Sequence, residues 1–109
     1  MKYYPLNFYA QIRVFENINT EKLSKSDIIE IFDKNKDMLY KYYNNKNILI
    51  KYLKLSEQLN MYDWVNFFKF FLNINEIDRD ILDEEISYFK KTNDKDLLKL
   101  ISKVEESIL

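Results

Sequence analysis

Not one of the 109 residues is glycine, and the only proline is Pro5. A chain so written is poorly suited to a meander of tight hairpins. The two-residue I′ and II′ turns need backbone at positive φ, which glycine reaches without steric cost. Phosphate-cradling loops and dinucleotide-binding turns fall away for the same reason. Helices joined by asparagine-bearing turns remain open to it, because asparagine is the next residue to tolerate the left-handed region.

The spacing of the apolar residues agrees. From Asp27 to about Tyr43 the positions Ile28, Ile31, Phe32, Leu39 and Tyr42 form one helical stripe. Ser24 or Ser26 stands where a helix cap belongs, and Asp27 puts a negative charge in the first turn. Asn44 and Asn45 end this helix. The next runs from about Lys46 to Leu59, with Ile48, Leu49, Tyr52, Leu53 and Leu59 on its apolar face. Asn60 to Asp63 breaks the pattern, with Asp63 as the expected N-cap of the fourth helix. The segment Trp64–Leu72 is apolar nearly all round, the mark of a helix buried at the centre of a bundle. A fifth helix over about Glu76–Lys91 turns Ile77, Ile81, Leu82, Ile86 and Phe89 inward. Asp94 caps the last, where Leu97, Ile101, Val104 and Ile108 follow helical spacing.

Residues 6–14 admit two readings. Leu6, Phe8, Ala10, Ile12 and Val14 alternate with polar or amphipathic residues, the period of a half-buried strand. Pro5 also suits a first helical turn, and Phe8, Ile12 and Phe15 share a helical face. Helix is the better reading, because a lone strand has no partner in a helical chain. The expected fold is all-α: a compact bundle of five to six short helices around Trp64–Leu72, with a short N-terminal strand over residues 6–14 as the alternative to the first helix. Connections are short and no linker or low-complexity tract appears, so residues 1–109 read as one domain. Tetratricopeptide pairing is rejected, since it needs small residues at fixed positions and the only alanine is Ala10.

Composition excludes several function classes. At 47% hydrophobic and 17% aromatic residues, the chain is too apolar for intrinsic disorder. With no His and no Cys it has no imidazole base, no thiol nucleophile, no disulfide, and none of the usual ligands for zinc, haem or iron–sulfur clusters. No enzyme activity, cofactor or metal is expected. No apolar run reaches the roughly 18 residues of a membrane span, so no membrane partner is expected. Met1–Pro5 shows no apolar targeting region, so a cytoplasmic location is expected. Phe, Tyr, Ile, Asn and Lys abound while arginine occurs only as Arg13 and Arg79, the usage of an AT-rich genome such as that of an AT-rich bacterium, its phage or plasmid, or an AT-rich eukaryote.

Three features suggest binding. Glu76, Asp78, Asp80, Asp83, Glu84 and Glu85 crowd one segment. Asp80 and Glu84 lie four apart on one helical face, where they can meet a basic protein surface or share a divalent cation. The calcium-loop pattern fails, because Leu82 stands at a ligand position and no glycine succeeds it. Lys34, Lys36, Lys41, Lys46, Lys51 and Lys54 are interleaved with Tyr40, Tyr42, Tyr43 and Tyr52, the ingredients of single-strand or RNA binding. The scarcity of arginine weakens that pattern. Tyr3, Tyr4, Phe8, Tyr9, Phe15, Tyr40, Tyr42, Tyr43, Tyr62 and Trp64 are too many rings for one small core. Some must be exposed, with Tyr3 and Tyr4 the favoured anchors for a partner. Residues 1–60 carry ten basic and seven acidic side chains, net +3. Residues 61–109 carry seven and eleven, net −4, which restores the −1 of the whole chain. Such a dipole steers association with a charged partner or with another copy, so a homo-oligomer stays open.

The sequence therefore predicts a small protein-binding module of inhibitor, immunity or assembly type. It acts by occluding a partner that has a basic surface, such as a nucleic-acid-processing enzyme or complex. Tyr3, Tyr4, Asp78, Asp80, Asp83 and Glu84 are the expected contacts. The alternative is an RNA or single-stranded DNA binding subunit using the Lys34–Lys54 face, with Lys41, Tyr43, Lys46 and Lys51 on the strand.

Overall fold

Aromatic side chains from five different helices meet in the interior. The computed structural model describes residues 8–108, all of whose regular structure is helical. The helices are α1 (Phe8–Asn17), α2 (Lys25–Lys34), α3 (Lys36–Lys41), α4 (Lys46–Gln58), α5 (Tyr62–Leu72), α6 (Arg79–Phe89) and α7 (Lys95–Ile108), with a 3₁₀ turn at Ile74–Glu76 before α6. Residues 8–14 are helix. Residues 6 and 7, the rest of the segment with a strand alternative, lie outside the described residues, as do Tyr3 and Tyr4.

The central position of α5 follows from its composition. Trp64, Val65, Phe67, Phe68, Phe70 and Phe71 are all buried. Tyr62, Asn66 and Lys69, spaced i, i+4, i+7, form the one polar stripe left to solvent. One side of α5 lies along α4, its most extensive neighbour. The Phe32 ring meets Tyr52 at 5.1 Å and Trp64 at 4.9 Å, both edge to face, and Phe15 of α1 closes on Tyr52 at 5.2 Å. Phe67 and Phe70 take Phe89 of α6 at 5.4 and 5.0 Å. Aromatic pairs in these geometries add about 0.5–1.5 kcal/mol each beyond the area they bury.

Turn chemistry agrees with the expectations in three places. The Ser24 hydroxyl accepts from the Asp27 N–H at 3.2 Å and caps α2. Asp94 caps α7 by accepting from the N–H groups of Asp96 and Leu97 at 3.0 and 3.2 Å. Asn60, between α4 and α5, sits at φ 56°, where a glycine would ordinarily be found.

Three expectations are corrected. The helix expected from Asp27 to Tyr43 divides at Asn35, whose side-chain amide donates to the Ile31 carbonyl at 2.8 Å and competes there with the backbone. Asp63 is not a cap. α5 begins one residue before it, after Met61, and its carboxylate accepts from the Thr92 hydroxyl at 2.6 Å instead. Ile81, expected inward, is 44% exposed, because α6 is covered only on the side that carries Leu82, Ile86 and Phe89.

Two buried phenols make the fold sensitive to alkali. Tyr52 donates to the Phe32 carbonyl at 2.8 Å, and burial drives its pKa well above the ordinary tyrosine range. Tyr40 donates to the Asp96 carbonyl at 3.1 Å beneath the Lys99 ammonium, and burial, seconded by the Asp96 charge, pushes its pKa up to about 12. A phenol gains charge on losing its proton, so these raised values stabilise the fold fully below the unfolded pKa of about 10. That contribution is lost as pH rises from about 10 through 12. The urea midpoint is expected to fall over this window, with tyrosinate absorbance and helix loss rising together. A midpoint unchanged to pH 12 would show that neither hydroxyl is held neutral by the fold.

Candidate protein-interaction surface

α6 owes its exposed face to an incomplete cover. Asp78 caps it, accepting from the Asp80 N–H at 3.1 Å. Of its eleven residues only Leu82 and Ile86 are buried, with Phe89 packed against α5. α7 packs against α6. Around the rest of the helix run Ile81, Tyr88, Glu84, Asp80, Ser87 and Asp83, all exposed. Ile81, Glu84 and Tyr88 are spaced i, i+3, i+7, so two large apolar side chains flank a carboxylate on one stripe. Tyr88 is 64% exposed and Tyr62, at the start of α5, is 68% exposed. These are the most exposed large hydrophobic side chains among the described residues.

The acidic residues named from sequence therefore divide. Asp80, Asp83 and Glu84 share the outer face of α6, while Asp78 is spent on the helix cap. Sequence reasoning misses Tyr88, although its spacing from Ile81 and Glu84 carries the signal. It places Tyr62 only among the surplus rings.

A shallow hollow adjoins this face. Asp63 and Asn66 of α5, Tyr88 and Phe89 of α6, and Lys91, Thr92 and Leu97 beyond it form its walls. Its rim is held by a chain of hydrogen bonds. Thr92 donates its hydroxyl to Asp63 and accepts from the Asp94 N–H at 3.2 Å, and Asp94 takes the Trp64 indole N–H at 2.7 Å.

Part of the lysine-rich stretch is engaged within the fold. Lys36 is bound to Asp33 at 3.1 Å and Asp96 at 2.5 Å. Burial opposes its charge, but the hydrogen bonds and negative charges of Asp96 and Asp33 together outweigh that and raise its pKa. Lys51 donates to the Ile18 carbonyl at the end of α1, and burial, with repulsion from Lys54, lowers its pKa. Tyr40 and Tyr52 are buried, and the half-buried Tyr43 ring rests 6.2 Å from Phe71. Lys41 and Lys46 are exposed at the end of α3 and the start of α4.

Among the described residues no three carboxylates converge on a point that would hold a metal ion, and no helix is long and apolar enough to cross a membrane. The chain matches no protein-family model, no curated protein and no solved structure.

Proposed function

We propose that this is a cytoplasmic, non-enzymatic protein-binding module whose contact surface is the outer face of α6. Its type is that of an inhibitor, immunity or assembly protein, and its origin an AT-rich bacterium or phage. The observation that carries the reading is the pairing of exposed Ile81 and Tyr88 with Asp80, Asp83 and Glu84 on one helix face. Aromatic anchors ringed by charge are the composition of interface hot spots, and the carboxylates select a partner with a basic surface. A nucleic-acid-processing enzyme has such a surface, and the α6 carboxylates can occupy the place of its phosphates.

Affinity capture from the source cells with purified, immobilised protein tests this. The double reversal Asp80→Lys and Glu84→Lys is expected to cut recovery of a specific partner at least tenfold, while Lys46→Glu leaves recovery within about twofold. Equal recovery by all three proteins would remove α6 as the contact surface. The competing reading predicts the opposite pattern, with labelled single-stranded RNA or DNA bound by the wild type and lost in Lys46→Glu. Such binding would fall steeply with salt as counterions are released. The engagement of Lys36 and Lys51 within the fold weighs against that outcome.

A further inference from the structure

The hollow beside Tyr88 does not stand alone. Beyond Asp63 a second hollow is walled by Met61, Tyr62, Asp63, Trp64 and Asp94. Beyond Tyr88 and Lys91 a third is walled by those two with Asp83, Glu84 and Ser87. Asp63 belongs to the first and second hollows, and Tyr88 and Lys91 to the first and third. The three are therefore one furrow, which runs from the start of α5 over the α6–α7 turn and onto α6.

We propose that this furrow is the docking groove for an extended, arginine-rich segment of the partner protein. The inference rests on the protein-binding reading and specifies the form of the partner. Charge selects it, since Asp63, Asp83 and Glu84 line the furrow beside Asp94, which is committed to the α7 cap and the Trp64 indole, and Lys91 is the only cation in its walls. Asp63 spends one contact on Thr92, and a carboxylate has about four lone-pair sites, so capacity for a guanidinium remains. The two exposed tyrosine rings stand beside these carboxylates. A planar guanidinium can stack on such a ring while it hydrogen-bonds the neighbouring carboxylate, which an ammonium does less well. The shape selects an extended chain over a helix. A docked helix needs a continuous apolar trough for anchors at i, i+3, i+4 and i+7. Here carboxylates interrupt the apolar lining at each step, and an extended segment can send every second side chain into successive hollows.

The test uses labelled peptides about ten residues long, roughly 33 Å when extended. One has arginine at every second position with serine between. The other has the same composition with arginines at helical spacing. Each is titrated into isotope-labelled full-length protein near 0.15 M salt, monitored by amide shifts and fluorescence anisotropy. The alternating peptide is expected to bind more tightly and to move the amides of Asp63, Asn66, Tyr88, Lys91 and Thr92. Tyr88→Ser and Tyr62→Ser, both at exposed positions that leave the core intact, are each expected to weaken it about tenfold. Tighter binding of the helically spaced peptide, with shifts centred on Ile81 and Glu84, would overturn the furrow while leaving α6 as a protein-binding face. Binding of both peptides alike with shifts scattered over all acidic residues, or binding of neither, would also overturn it. The protein-binding reading would then stand or fall on the charge-reversal capture.

Discussion

Replacing Trp64 by alanine is expected to destabilise the fold by about 3–5 kcal/mol, the range for removing a large buried aromatic. That is a large share of the roughly 5–15 kcal/mol that holds a domain of this size together. The single tryptophan is only 1% exposed and has two roles. Its ring meets that of Phe32 from α2 edge to face and lies 5.8 Å from Phe68, so its loss opens a cavity where α2, α4 and α5 meet. Its indole N–H ties α5 to Asp94 at the head of α7. Trp64→Phe separates the roles, since it keeps much of the ring contact and loses the hydrogen bond, at a cost of about 1–2 kcal/mol. With the fluorophore gone, urea unfolding is monitored by the helical circular dichroism signal. A Trp64→Ala midpoint within about 1 kcal/mol of wild type would mean that the aromatic cluster does not hold these helices together.

Asp94→Ala is the largest effect expected from any polar side chain, about 2–4 kcal/mol. The sum has two sources. Losing an aspartate N-cap costs about 1 kcal/mol, and an indole N–H left without its acceptor in a part-buried site costs about 1–3 kcal/mol more. Asp94→Asn retains one oxygen for the cap but turns an amide donor toward the indole N–H, so it is expected to recover no more than about half of the loss. Urea unfolding gives the stabilities. Trp64 emission of the folded state reports the second source separately, since it is expected to change in Asp94→Ala and stay close to wild type in a surface variant such as Lys95→Ala. A loss no larger than 1 kcal/mol with unchanged emission would show the cap alone at work.

Those two residues also mark how far the sequence can be read. Trp64–Leu72 declares itself as the buried helix because nearly every side of it is apolar, and Ser24 and Asp94 declare themselves as caps because capping is a local hydrogen bond. The break at Asn35 depends on a competition for one carbonyl that periodicity does not register. Asp63 misleads because its partner, Thr92, is distant in sequence, and the burial of Tyr40 depends on α7 for the same reason. Exposure on α6 is the least legible. Ile81 fits the inward stripe by spacing, and only the placement of α7 and of Phe67 and Phe70 decides which side of the helix is covered. The candidate surface shows the same division. Its carboxylates are plain in the sequence, whereas its anchors, Tyr88 and Ile81, emerge only once the neighbours of α6 are known.

Site-specific photo-crosslinking tests the surface most directly. A photoreactive phenylalanine analogue is placed in turn at Ile81, Tyr88 and, as a control, Ile29, which is 43% exposed on α2. Each full-length protein is illuminated in the source cells. A discrete adduct is expected from Ile81 and Tyr88 that is lost on adding Glu84→Lys, with no matching adduct from Ile29. An adduct from Ile29 with none from the two α6 positions would contradict this and move the contact surface to the opposite half of the molecule's charge.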